Sequence, residues 1–204
     1  MDKIRLDFFD ILGYLVPGTA LLLSLWVTAD TTVVSLADLY VFVGKINSNI
    51  LLSGIVVAYV MGFTLHLFGS FLFVFVYLRV KNMISGTPPK KAEKRADYVS
   101  HYWAQLREHG DKHLPLLDRW QALKAFSRNL AGFSMVAIWL CLWKWQITQC
   151  QQWLALAPIF LLLYISYSNR SKKFGDYLDG DSKAVLEALH LNKNLPPHLL
   201  KNEE

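Results

Sequence analysis

Between Lys45 and Arg79 the chain has no charged residue, and between Arg5 and Lys45 the only charges are Asp7, Asp10, Asp30 and Asp38. Charged residues make up 18% of the 204 positions, against about 25% in an ordinary soluble domain. Uncharged apolar runs of about 18 or more residues read as membrane-spanning helices, so this scarcity argues against a soluble globular class. Two cysteines, Cys141 and Cys150, make a weak disulfide signal, and free, packed thiols are expected. The chain lacks a nucleophile elbow, a phosphate-binding glycine loop, an H-E-x-x-H pattern and a buried carboxylate pair. No enzyme activity, catalytic residue, cofactor or metal is therefore expected. Internal repeats and low-complexity tracts are also missing.

What remains is apolar: 53% of the residues are hydrophobic. Four spans are expected. The first runs from about Ile11 to Thr28. Its leader "MDKIRLDFFD" mixes three acids with two bases and no A-x-A site follows, so it reads as a retained span and not a cleaved signal. Pro17-Gly18 lies in its first half, where a kink or a late helix start is expected. The segment Ala29–Asn49 is too short and polar for a span and suits a short interfacial or re-entrant element. A second span starts near Ile50 and meets no charge before Arg79, longer than a hydrocarbon core of about 30 Å requires. The third covers about Asn129 to Trp143, with Lys144 snorkelling to the interface. The fourth covers about Trp153 to Ser168, after the polar turn "KWQITQCQQW" with its flanking tryptophans.

Topology follows from the bases. Val80–Arg128 holds ten of them, and Arg170, Lys172 and Lys173 open the tail, whereas Ala29–Asn49 and the turn between spans three and four hold one each, Lys45 and Lys144. The positive-inside rule places both termini and the central loop in the cytoplasm. The expected organisation is thus all-α: residues 1–79 with spans one and two and an extracytoplasmic segment at 29–49, a cytoplasmic helical hairpin at 80–128, spans three and four at 129–169, and a cytoplasmic tail at 170–204. In the hairpin, Tyr98, Tyr102 and Leu106 share one stripe of a helix ending at Gly110. Leu116, Trp120, Leu123 and Ser127 share one side of a second helix that runs into span three. In the tail, Asp181 or Ser182 is expected to cap a short helix.

Three groups of residues are candidates for function. Gly54, Ala58, Gly62, His66 and Ser70 recur every four residues in span two, with Gly69 one turn beyond His66. Small residues in such a ladder let helix backbones approach closely, and a polar member can bond across the contact. The ladder serves either packing within the chain or an oligomer face, and if it is an oligomer face a leucine at Gly62 should disrupt assembly. A proton-conducting role for His66 ranks lower, since no span offers an acidic partner. The loop histidines His101, His109 and His113 read as solvated, because Gly110 interrupts the one helical pair and no cysteine joins them. The basic stretches could meet anionic lipid, and Tyr98, Tyr102, Trp103, Arg107, Arg119 and Trp120 form the candidate face for a cytoplasmic protein partner. Direct nucleic-acid binding is not expected.

"FFDILGYLVPG" entering the first span, "AYVMGFTLH" in the second, "KAFSRNLAGF" entering the third and "NRSKKF" leaving the fourth carry a resemblance. Together they resemble small four-span bacterial membrane proteins encoded with anti-phage defence systems, above all the membrane-subunit family of the Kiwa system, KwaA. The resemblance implies a homo-oligomeric inner-membrane sensor that engages a cytoplasmic effector of the KwaB kind. A stand-alone effector whose oligomer opens a pore is the alternative. A pore needs a polar lining, and here the spans offer only His66, Thr64 and scattered serines.

Overall fold

The computed structural model describes residues 8–44, 48–86 and 114–189, and among them every regular element is helical. They are α1 (Phe8–Ala29), α2 (Leu36–Gly44), α3 (Ser48–Leu72), a π-helical turn (Phe73–Tyr77), α4 (Leu78–Ser85), α5 (Leu114–Thr148) and α6 (Gln151–Ala188). The hairpin residues Tyr98, Tyr102, Trp103 and Arg107 and the loop histidines lie outside the described residues.

Among the described residues, two helices are long and apolar enough to cross a membrane. Gly54–Ser85 has 32 residues and a mean hydropathy of 1.9, and Leu114–Thr148 has 35 residues and a mean hydropathy of 1.4. Gly13–Ala29 is a shorter apolar helix. The helix α5 is the hub of the bundle: α1, α3 and α6 all pack on it, and α1 also pairs with α3.

Several expectations need correction. The helix α1 continues through Pro17, which is fully buried, so the helix does not start late at Pro17-Gly18. α5 does not end at Trp143; it runs on to Thr148, and the turn to α6 is only Gln149 and Cys150. Gln149 stops it by taking a left-handed backbone at φ 56° while its N–H donates to the Trp145 carbonyl, a conformation that ends helices. The expected tail helix has no separate start, because α6 is one helix of 38 residues. Ser182 is interior and bonds back to the Leu178 carbonyl at 2.6 Å, while Asp181 accepts a bond from Trp120. On α5, Leu117 is fully buried whereas Leu116 is 46% exposed, so the packed face runs through Leu117, Trp120 and Ser127, and Leu116 lies off it.

The segment between spans one and two folds as a capped helix. Asp38 Oδ2 accepts from the Val34 and Ser35 N–H groups and from the Ser35 hydroxyl, at 2.7–3.0 Å. This satisfies donors that the first turn of α2 would otherwise leave open. The bonds from Ser35 and Val34 hold the Asp38 carboxyl below its ordinary pKa. A cluster of Val33, Phe42, Cys141 and Trp153 joins α2 to the ends of α5 and α6. Cys141 and Cys150 are both free thiols.

Candidate functional site

In the apolar half of the bundle the small residues of α3 are filled from within the chain. A Cβ on Gly18 would overlap the Ala58 carbonyl, and one on Gly62 would overlap the backbone of Tyr14. Backbone therefore lies on backbone where α1 crosses α3. Further along the same helix, Gly69 meets the Arg128 carbonyl, and Gly132 faces Gly69 across the α3–α5 contact. Gly54 is less constrained, with a Cβ reaching only ordinary contact with the Leu22 side chain at 3.7 Å. Ser70 is half-buried.

His66 sits between these two crossings. Its Nδ1 lies 3.2 Å from Asn129 Oδ1 on α5, and the ring meets Tyr14 of α1 edge-on at 5.9 Å. Asn129 is fully buried, and its Nδ2 donates to the Gly13 carbonyl of α1 at 2.9 Å. That bond fixes the amide, because only Nδ2 can donate. Oδ1 must then face His66, so the proton of the imidazole belongs on Nδ1. One asparagine and one histidine thus tie α1, α3 and α5 together at the point where glycine lets them approach. The chemistry available here is structural. Among the described side chains no acid is bonded to His66 or Asn129, and no three His, Cys, Asp or Glu side chains could share a metal ion.

Each end of the bundle has its own polar lock. At one end Lys144 turns inward and is only 2% exposed, instead of snorkelling outward. Its ammonium donates to the carbonyls of Val27 at 3.1 Å and Asp30 at 2.6 Å. It thereby caps the end of α1, where the last carbonyls lack helical partners and the helix dipole is negative. Trp153 Nε1 donates to the Val34 carbonyl, and Gln152 accepts from the Leu36 N–H, so α2 is tied to the start of α6. At the other end Trp120 Nε1 donates to Asp181 at 2.7 Å, and its ring packs on Phe174 and Tyr177. Arg128 donates to Ser171 Oγ at 3.2 Å and lies over the Phe73 ring at 4.7 Å. Arg119 is exposed beside Trp120. Of the candidate partner face, the structure therefore describes Arg119 and Trp120.

Sequence reasoning reached His66 but missed Asn129 and misread Lys144. The signal for both was available: a lone amide and a lone amine flanking the same apolar run of α5. Polar groups at such depth are expected to find specific partners. Comparison of the chain with family models, with curated proteins and with solved structures finds no match.

Proposed function

We propose that the chain is a four-span inner-membrane protein, with both termini and the segment between α4 and α5 in the cytoplasm. It serves as the sensor and scaffold of a bacterial anti-phage defence system of the Kiwa type, binding a cytoplasmic effector. The observation that carries the membrane part is an inversion of the usual soluble pattern. Outside, Val56, Leu67, Trp139 and Leu162 are each 64–69% exposed, and Val60, Phe63, Phe71, Trp143, Ile159 and Ile165 join them. Inside, Asn129, Ser134, Ser168 and Ser171 are fully buried. A soluble monomer rarely exposes apolar surface on this scale, whereas lipid demands it and leaves polar groups to bond within the bundle. The apolar stretch of α6 is bracketed by Gln151-Gln152 and Asn169-Arg170, which fits a fourth span.

The sensor part rests on continuity. The segment around α2, with Tyr40 87% exposed, is bonded to the beginning of α6 through the Val34 carbonyl and the Leu36 N–H. From there α5 and α6 run unbroken for 35 and 38 residues to the Trp120–Asp181 lock at the opposite end. In this reading a displacement at α2 would pass to α6 through the Val34–Trp153 and Leu36–Gln152 bonds and along that helix to the cytoplasmic end, where the partner would bind. The glycine ladder is occupied within the chain, so self-association would use the outward faces.

The test is co-expression with the cytoplasmic protein of the neighbouring gene, followed by membrane fractionation. Recovery of that protein with the membranes only when the chain is present is the expected result, with a marked loss for Trp120→Ala. Depolarisation of cells by the chain alone would contradict a scaffold and favour the pore.

A further inference from the structure

Where α6 leaves its apolar stretch, a groove of about 410 Å³ opens along it, lined by Ser166, Asn169, Arg170, Lys173, Phe174 and Tyr177. Ligand sites are commonly about 300–1,000 Å³, so the volume suits a headgroup. Its wall is organised by a relay from the neighbouring helix. Tyr77, the last residue of the π-helical turn, donates its hydroxyl proton to Asn169 Oδ1 and accepts from the Lys81 ammonium at 3.2 Å. With Oδ1 engaged, the Asn169 Nδ2 is left as a donor to the groove. Arg170 and Lys173 line the same groove, both exposed and one turn apart. No acidic residue is found among the described residues that line it. One and two turns before Asn169, Ile165 and Leu162 are exposed and apolar. The groove thus combines the Asn169 amide and two cations, Arg170 and Lys173, with exposed aliphatic side chains further back along α6.

We propose that this groove binds a phosphate diester, with an anionic phospholipid of the cytoplasmic leaflet as its occupant. The phosphate meets Arg170, Lys173 and the Asn169 amide, and the acyl chains lie along Leu162 and Ile165. The guanidinium fork supplies paired charge-assisted bonds to phosphate oxygens, and basic pockets at the cytoplasmic side of membrane helices suit such headgroups. Lys172 is exposed and does not line the groove, so it provides a control with the same charge. This inference rests on the four-span reading for its choice of lipid.

The full chain, purified in a non-ionic detergent, is titrated with phosphatidylglycerol, phosphatidylcholine or inorganic phosphate and read by native mass spectrometry. Wild type should retain phosphatidylglycerol in preference to phosphatidylcholine, and millimolar inorganic phosphate should not displace it. The double variant Arg170→Gln/Lys173→Gln should bind phosphatidylglycerol about tenfold or more weakly, while Lys172→Gln leaves binding unchanged. Thermal melting of each variant confirms that it is folded. An equal loss in Lys172→Gln would reduce the effect to bulk charge, an unchanged double variant would place the lipid elsewhere, and displacement by inorganic phosphate would make this a free-anion site. Each of these overturns the proposal. Recovery of the chain in the soluble fraction would instead defeat the four-span reading itself, so the two failures are distinguishable.

Discussion

The two longest contacts in the bundle are built in opposite ways. Where α1 crosses α3, glycine removes the side chain and backbone meets backbone at Gly18, Ala58 and Gly62. Along α5 and α6 the helices keep their side chains and run side by side far past the apolar region. The buried residues of α6 alternate by four and three: Tyr164, Ser168, Ser171, Gly175, Leu178, Ser182 and Val185. That alternation is the seam of a paired helix. Several of its members are small and hydroxylated, and Ser182 satisfies its own hydroxyl on the preceding turn. The first contact is close and intolerant, whereas the second is longer and distributes its stability over many residues. A crossing is fixed by what cannot be added, a seam by what can be removed piece by piece.

Changes at the crossing should therefore be the most damaging. Gly62→Leu, which places a branched side chain against the Tyr14 backbone, is expected to cost about 3 kcal/mol or more, seen as loss of the melting transition in detergent. Gly54→Ala, with room at 3.7 Å, should melt within a degree or two of wild type. Equal tolerance at both positions would show that the close approach does not hold the bundle.

Asn129→Ala comes next, because it removes two interhelical bonds and leaves the Gly13 carbonyl and His66 without that partner. Membrane hydrogen bonds average about 0.6 kcal/mol and reach about 1.7 kcal/mol, so a loss of about 1–2 kcal/mol is expected in the same assay. His66→Ala should lose less, since the Asn129–Gly13 bond survives. On the seam, Asp181→Asn keeps an acceptor for the Trp120 indole and should cost no more than about 0.5 kcal/mol. It should nonetheless serve as a sensitive probe of partner recruitment if that end is the binding face.

The smallest effect belongs to the Asp38 cap. Its carboxyl is held below the ordinary value in the folded state, so it stabilises α2 above the unfolded pKa of about 3.9. That contribution fades as pH falls from there through the folded pKa. Hydrogen exchange of α2 amides should accelerate on acidification relative to the rest of the bundle, beyond the intrinsic pH effect on exchange. Asp38→Asn should flatten this response.

Much of this architecture was legible in the chain, for physical reasons specific to each element. The ladder in α3 was readable because glycine at helical spacing has few other uses in an apolar helix. Which helices would fill it was not readable. At 3.6 residues per turn, Ala58, Gly62 and Gly69 lie within about 40° of one another around the axis, so one stripe meets α1 first and α5 further along. A small-residue face specifies closeness but not the neighbour. Trp120 was legible as a candidate, but its tie to Asp181 spans 61 positions, and no local pattern encodes it. The tail was misread because Asp181-Ser182 carries a cap signal, which the continuing seam through Leu178 and Val185 overrides. Lys144 was misread because charge at the edge of an apolar run usually seeks water, and nothing in its own neighbourhood announces the open carbonyls at the end of α1.

The central claim, an inside-out bundle with α2 and the far end of α6 on opposite sides of a membrane, has a direct test. Cys141 and Cys150 are first replaced by serine, and single cysteines are introduced as Tyr40→Cys in α2 and Gly180→Cys in α6. Intact cells are then treated with a membrane-impermeant maleimide. The expected result is labelling of Tyr40→Cys in intact cells and of Gly180→Cys only after the membrane is opened. Labelling of both positions in intact cells, or labelling of Gly180→Cys alone, would contradict the account.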